Sequence, residues 1–572
     1  MSSQNEVAVK KKLLIVAITR LGDLLQASPT IGGLKMENPG SHLTVLVDKG
    51  FSEICYGIPG IDEVFEIDLA MMVRSMARGG AGIIEAYSYF DSIVEKLRSN
   101  GYDFVLNMSS SSYTAVLLRL LDVADSRGWA SDEEGCRLIT NPWSMLFAAS
   151  VYHSNRDYNS INLVDIFRCC SGVRKHPRRL IYEVKDEARG TMRSRLADLG
   201  YDGSKPLVCI QAGASQEKRQ WSAANFAELT GKLVDRLGAF VVFTGSKSEQ
   251  AIIDRIIELA LEHDNDGLRA KNIFSVAGST NLKELGALTE AANVLITGDT
   301  GTMHMAVACG TNVVAIFLAS ALCYETGPYS VGNLVVQARI SCCPCNPNFP
   351  CARPDCHEQI TPELVFQLTK LRLEKSDEAL RNYVVSEDLC PSAEASVFFT
   401  DFDGDDFLEC VPLNAETGRN GFAKELFVRS RAVYRELWKH EFDAIDVRDI
   451  RVDHNCQPAP VEYYDAGIRE YFRISDNGIA LLSDLLRLIR DVHSDPRMLG
   501  ELTRQIEYND RSVEEVGLAW PVLGTMARIF VMEKDNLRGD DPGKVASEMI
   551  EIYQRLKRRA GLFERLMQVD AN

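Results

Sequence analysis

The sequence predicts an α/β protein of two doubly wound halves followed by a mainly α-helical region, and three observations predict it. Short apolar runs alternate with amphipathic stretches from Lys12 to about residue 370, the rhythm of β-α-β units around a parallel sheet. The rhythm breaks over residues 127–180 and restarts at Leu207, which divides it near residue 180. Past Leu371-Arg372-Leu373-Glu374-Lys375 the apolar spacing turns helical. Three domains are therefore expected, 1–180, 181–375 and 376–572, in keeping with a domain size of roughly 100–200 residues.

In the first half, the run Lys12–Ile18 reads as a strand ending at Thr19-Arg20-Leu21-Gly22-Asp23, with a helix through Leu24, Leu25, Ala27 and Leu34. Asp23 falls in the first helical turn, where a carboxylate caps or faces the helix dipole. Leu43–Val47 and Val64–Ile67 are further strands, and residues 69–100 are helical with a glycine break at Gly79, Gly80 and Gly82. Tyr102–Asn107 is a strand leading through Ser109–Ser112 into a leucine-rich helix. Between 127 and 180, Trp129, Trp143, Phe147 and Tyr152 read as packing residues, and Asn159–Cys170 as a connecting helix.

The second half opens with strand Leu207–Gln211, followed by Ala212-Gly213-Ala214-Ser215 and the basic pair Lys218-Arg219 before Trp221. Strand Phe240–Thr244 leads to Glu249 at the start of a helix, and strand Ile273–Val276 follows. The run Ala292–Thr297 ends in Gly298-Asp299-Thr300-Gly301-Thr302-Met303-His304, a strand, turn and helix start whose free N–H groups form an anion site. In this architecture ligands bind outside the carboxyl ends of the strands, where each of these polar clusters falls. Neither half opens with G-x-G-x-x-G, which disfavours a dinucleotide oxidoreductase.

Composition bounds the partners. Hydrophobic residues at 46% with 25% charged describe a folded globular protein, and the net charge of -17 disfavours nucleic-acid binding. Residues 381–572 carry 36 acidic and 25 basic side chains, net -11, against 44 and 38, net -6, before them. Lys10-Lys11-Lys12 precedes too short an apolar stretch for a secretory signal. The run Asn312–Cys323 is far below the roughly 20 residues that span a bilayer. A cytoplasmic location is expected, and the fifteen cysteines fit a reducing compartment.

With these motifs in hand, residues 10–370 resemble the glycosyltransferase family that contains the bacterial lipopolysaccharide heptosyltransferases. The resemblance rests on Arg20-Leu21-Gly22-Asp23 with Pro29, on Ala212-Gly213-Ala214-Ser215 leading into Lys218-Arg219-Gln220-Trp221, and on Asp299-Thr300-Gly301 with His304. It implies two facing Rossmann-like domains (the GT-B fold), the first on the acceptor side and the second binding a nucleotide-diphosphate sugar such as ADP-heptose. It implies inverting transfer to a saccharide or glycolipid acceptor of the cell envelope, with no cofactor needed for catalysis.

By position Asp23 would be the general base, and Arg219 would stabilise the leaving diphosphate where the family usually has lysine. Arginine and lysine are not interchangeable, so Arg219 and Lys218 both stand as catalytic candidates. Ser215, Glu249, Asp299, Thr300, Gly301 and His304 would form the donor site, with Glu249 at the ribose and His304 either touching the donor or bracing the loop. The alternatives are transfer to another glycan or protein, and a non-catalytic sugar-nucleotide adaptor.

Two features stand apart. Cys342, Cys345, Cys351 and Cys356, in the loop 342–357 with Cys343 and His357, have the spacing of a small metal knot. Structural zinc, packed reduced thiols and a redox role are the competing readings. In the tail, Phe398–Phe407 reads as a hairpin with an acidic turn, because the spacing of a calcium loop is not met. Helices are expected from Phe422 to Trp438, Gly478 to Val492 and Lys544 to Met567. The last carries Arg555, Lys557, Arg558, Arg559 and Arg565, read as a solvated face, with peripheral contact at the cytoplasmic face of the inner membrane as the alternative.

Overall fold

The computed structural model describes residues 10–568 apart from 152, 263, 265–266, 387, 389, 391–394, 415–423, 444–451, 453–458 and 491–495. Its first sheet contains β1 (Lys12–Val16), β2 (His42–Asp48), β3 (Glu63–Ile67), β4 (Phe104–Asn107), β5 (Ser126–Ser131) and β6 (Arg137–Ile139). Their order is β3-β2-β1-β4-β5-β6, parallel except for the last pair. The second sheet contains β7 (Leu207–Gln211), β8 (Phe240–Thr244), β9 (Ile273–Ser275), β10 (Val294–Gly298), β11 (Val313–Phe317), β12 (Leu334–Ala338), β13 (Ala395–Phe402) and β14 (Leu408–Pro412). It runs β14-β13-β12-β11-β10-β7-β8-β9.

Central strands such as Leu13–Val16, Leu207–Ile210 and Val313–Phe317 are apolar without alternation because helices cover both their faces. In each sheet the first strand of the half lies inside the order, so the chain reverses direction beside it, between β1 and β4 and between β7 and β10. A crevice opens at the carboxyl ends of the strands at such a reversal.

The hairpin expected at Phe398–Phe407 forms, and it extends the second sheet antiparallel to β12. Asp403 Oδ1 accepts the N–H groups of Asp405 and Phe407, each at 2.9 Å, so the acidic turn is closed by its own backbone. Val397 and Phe399 join the core with Leu334 and Val336. The second half therefore continues past the boundary expected at 375, because the hairpin's inner face completes that core.

The chain forms two compact units, Met1–Thr140 with Asn162–Glu416, and Asn141–Ile161 with Thr417–Asn572. The expected division at 180 thus falls within one unit. Part of the stretch where the rhythm breaks belongs to the helical unit. There the Trp143 indole donates to Asp443 Oδ1 at 3.1 Å, Tyr158 stacks on Phe427 at 5.5 Å, and Ser160 Oγ donates to the Arg431 carbonyl at 3.0 Å. Trp143 and Trp129 are buried as packing residues, whereas Tyr152 lies outside the described residues. The connecting helix spans Leu163–Ser171, capped by Asn162.

The helical unit holds Lys424–Asp443, Asp465–Arg490, Pro496–Ala519, Gly524–Asp535 and Pro542–Gln568. The basic face expected on the last helix is largely spent inside this unit. Arg559 is buried between Glu441 and Glu533, Arg555 pairs with Glu533 and Lys557 with Asp476. A buried guanidinium needs such partners to offset its desolvation. Among the described residues, no helix is long and apolar enough to cross a membrane.

Candidate functional site

The site assembles where β1 and β10 end. Beyond β1 the chain turns into helix Leu21–Gln26, and beyond β10 into helix Gly301–Ala308, which Thr300 caps by accepting the Met303 N–H at 3.4 Å. The two helix starts meet. A Cβ built on Gly22 would lie 2.9 Å from His304 Cδ2 and 3.6 Å from Gly301 Cα, and one on Gly301 would lie 2.8 Å from Leu21 Cδ2. Glycine at both positions leaves room for this approach, most tightly at Gly22 against the His304 ring.

Asp23 is partly buried, and its carboxylate accepts the Arg20 N–H at 3.2 Å. Burial pushes its carboxyl above the ordinary carboxylate value; the Arg20 N–H and guanidinium pull it back, and the negative charge of Asp299 adds to the rise. The local capping geometry and a proton-accepting role are compatible, since a carboxylate oxygen has more than one lone pair.

On the facing side, Arg219 forms an ion pair with Asp299 and donates to the Asp299 carbonyl at 3.0 Å. This pair ties the turn after β7 to the turn after β10. A chain of hydrogen bonds continues across the strand ends. Glu249 Oε1 accepts from Gln211 at 2.9 Å, Gln211 Oε1 accepts from Thr297 at 2.8 Å, and the Thr297 and Thr300 hydroxyls lie 3.1 Å apart. Glu249 Oε2 also accepts the Ser246 N–H at 2.6 Å, and Gly213 leaves the space that its carboxylate fills. Ser215 is exposed at the same edge.

Buried polar atoms without a hydrogen-bond partner gather along these strand ends: Thr19 Oγ1, Arg219 Nε, Thr244 Oγ1 and His304 Nδ1. His304 itself is buried against Gly22, and burial lowers its pKa to about 4, so its ring is neutral at physiological pH. Its position braces the meeting of the two helix starts.

Lys218 turns elsewhere. Its ammonium donates to the carbonyls of Asn346 at 2.9 Å, Pro347 at 3.2 Å and Phe349 at 2.7 Å, and a His357 ring nitrogen lies 2.9 Å from the Lys218 carbonyl. The cysteine loop thus clasps the residue next to Arg219. Within that loop the sulfurs of Cys342, Cys343 and Cys345 lie within 4.8 Å of one another. The Cys343 thiol also bonds Cys356, holding the Cys356 thiol below its ordinary pKa. Cys351, expected as the fourth thiol, is exposed with its Sγ 3.2 Å from the Arg353 carbonyl. Cys343, which was not among the four expected, lies with Cys342 and Cys345.

Comparisons with known proteins bear on the family and the fold. Residues 91–350 match glycosyltransferase family 9 (heptosyltransferase). Lipopolysaccharide heptosyltransferase 3 of Escherichia coli K12 is 25% identical over 304 residues, 52% of this chain and 80% of that protein. Lipooligosaccharide heptosyltransferase 2 of Haemophilus ducreyi is 21% identical over 306 residues, again 52% of this chain and 80% of the relative. The crystal structure of a family 9 glycosyl transferase from Veillonella parvula superposes with a TM-score of 0.50 at 19% identity, covering 64% of this chain and 98% of that one. The fold is GT-B-like, and the family match supports glycosyltransferase activity. The chain carries a glycosyltransferase family 9 (heptosyltransferase) domain, and its C-terminal region is extra to that family.

Proposed function

We propose that this glycosyltransferase moves a heptose-class sugar from a nucleotide-diphosphate donor, of the ADP-heptose kind, to a saccharide of the lipopolysaccharide core, inverting the anomeric centre. One observation carries the reading: a desolvated carboxylate, Asp23, stands opposite an anion-binding turn whose arginine is already in place. In the reaction an acceptor hydroxyl attacks the anomeric carbon while Asp23 takes its proton. The bond from that carbon to the diphosphate oxygen breaks, and the nucleoside diphosphate leaves with the electron pair. Arg219, the N–H groups of the 300–302 turn and the Thr300 hydroxyl neutralise the charge that develops there. Asp299 holds Arg219 rather than phosphate. Glu249 retains lone pairs for the ribose hydroxyls, and Ser215 lines the same edge. Two relatives named as heptosyltransferases of lipopolysaccharide and lipooligosaccharide support the sugar and the acceptor.

The cysteine loop is structural in this reading. Cys342, Cys343 and Cys345, with Cys356 bonded to Cys343, would hold a zinc ion of a closed site once deprotonated, and a metal there would stiffen the clasp on Lys218 without joining the chemistry.

A thermal-shift screen against nucleoside diphosphates and their sugars tests the donor assignment, because a ligand bound only by the folded state raises stability by mass action. An upward shift with a nucleoside diphosphate, followed by donor-dependent transfer to a delipidated core oligosaccharide, is the expected result. No shift with any purine or pyrimidine nucleoside diphosphate overturns it.

A further inference from the structure

A helical hairpin stands out from the first sheet. Helix Leu69–Ala77 starts directly after β3, and helix Ala81–Asn100 returns to the amino end of β1, where Lys12 Nζ donates to the Asn100 carbonyl at 2.7 Å. The Tyr89 hydroxyl accepts the Asp68 N–H at 2.9 Å, so residue 89 is level with the carboxyl end of β3. Only the part of the second helix beyond it enters the core, through Ile93, Val94 and Leu97. Residues 81–88 therefore overrun the sheet by about 12 Å at the helical rise per residue.

The overhanging tip holds itself together. Gly82 lets the helices approach so closely that a Cβ would meet the Ser75 carbonyl at 2.1 Å, and Ser75, Arg78 and Glu85 satisfy one another's polar groups. Large apolar side chains remain outside. Val73 is 61% exposed, Met76 49%, Ile83 55%, Ile84 68% and Tyr87 70%. On each helix these residues recur at three- and four-residue spacing, which makes one face. In a chain of net charge -17, residues 69–88 contain two arginines, Arg74 and Arg78, and one acidic side chain, Glu85, which pairs with Arg78. Exposed apolar surface whose single carboxylate is neutralised by Arg78, with Arg74 in excess, complements an anionic lipid surface. The root of the hairpin is two strands from β1, about 10 Å along the edge from which Asp23 faces the crevice.

We infer that the tip of hairpin 69–88 seats the enzyme on an anionic bilayer, its apolar face entering the headgroup boundary and Arg74 meeting lipid phosphates. The site then opens beside the surface that presents a lipid-anchored saccharide, a point that rests on the acceptor reading above. Co-sedimentation of the full chain with phosphatidylethanolamine–phosphatidylglycerol vesicles, and with phosphatidylcholine vesicles, tests it.

The wild type should partition to the anionic vesicles, and Ile84→Glu with Tyr87→Glu should lower that partition about tenfold or more. Arg74→Gln should lower it about fivefold on anionic vesicles alone. The pair Ile84→Ser and Tyr87→Ser repeats the test without added charge, and unchanged melting curves verify the fold. Wild type left in the supernatant, variants that bind as wild type does, or a concentration-dependent dimer abolished by these substitutions would overturn the inference. Transfer to a delipidated, water-soluble acceptor should be unchanged in the variants. Its absence in the wild type would count against the transferase assignment and not against the vesicle result.

Discussion

Central strands of the two α/β halves end in turns that each hold one glycine and one aspartate, Arg20-Leu21-Gly22-Asp23 after β1 and Asp299-Thr300-Gly301-Thr302 after β10. Each brings one carboxylate and one glycine to the same meeting point. Their surroundings separate them. Asp299 has a cation fixed on it by Arg219, whereas Asp23 has the Arg20 backbone beside it, is raised by burial and faces the charge of Asp299. A carboxylate locked to an arginine is a strut; one held desolvated above its usual pKa is poised to take a proton.

The largest effect should come from removing the free carboxylate. Asp23→Asn should lower kcat by about 10²- to 10⁴-fold, the ordinary contribution of a general base. Nucleoside-diphosphate affinity, measured by calorimetry, should stay near wild type, and a variant that still turns over would erase the distinction between the turns. The rise of kcat/KM with pH in the wild type should have its midpoint above the ordinary carboxylate value of 3.8, because the charged form is disfavoured in the fold.

Breaking the other turn should act on both binding and chemistry. Arg219→Ala should cost about 10²- to 10³-fold in kcat, as loss of a preorganised charge does, and should weaken donor binding. Lys218→Ala should leave donor affinity nearly intact, since that ammonium is spent on loop carbonyls. The opposite ranking of the two variants would hand the diphosphate to Lys218.

Smaller effects test the contact between the turns. Gly22→Ala pushes a methyl group to 2.9 Å from the His304 ring and should destabilise the protein by about 1–3 kcal/mol in denaturant unfolding. A neutral result would mean that the halves separate there at little cost. Burial holds the folded pKa of His304 at about 4, against the ordinary imidazole value of 6.5. As pH falls below about 6.5 the unfolded chain gains a proton that the folded one refuses, so stability declines down to about pH 4, by up to about 1.4 kcal/mol per pH unit. Above that window the residue contributes no slope, and His304→Gln should remove its share, visible as a flatter melting temperature against pH.

Strands and helix starts of the α/β region were legible because their signals are local: apolar runs of strand length, a glycine or threonine at a turn, a capping side chain. Asp23 follows the end of β1, and Arg219, Glu249, Asp299 and Thr300 follow strand ends of the second sheet, since alternation of strand and helix already implies where those ends fall. What escaped is set by partners far away in sequence. Nothing near Lys218 announces that carbonyls 128 to 131 residues later will claim its ammonium. Nothing in Cys351 distinguishes it from Cys343 until the loop bends. The hairpin at 395–412 read correctly as a hairpin, yet its membership of the second sheet depends on the exposed edge of β12, which no local pattern reports.

The segment Asn141–Ile161 carries a consequence for how this protein is made. Its buried side chains, Trp143, Leu146, Tyr158 and Ile161 among them, belong with helices that begin only after Thr417. At a synthesis rate of about 5–20 residues per second, the ribosome needs roughly 13–50 s to deliver those partners. During that interval a greasy, half-finished loop hangs from an α/β unit still under construction. A nascent chain of this design has a built-in waiting period, in which a chaperone has its natural point of entry.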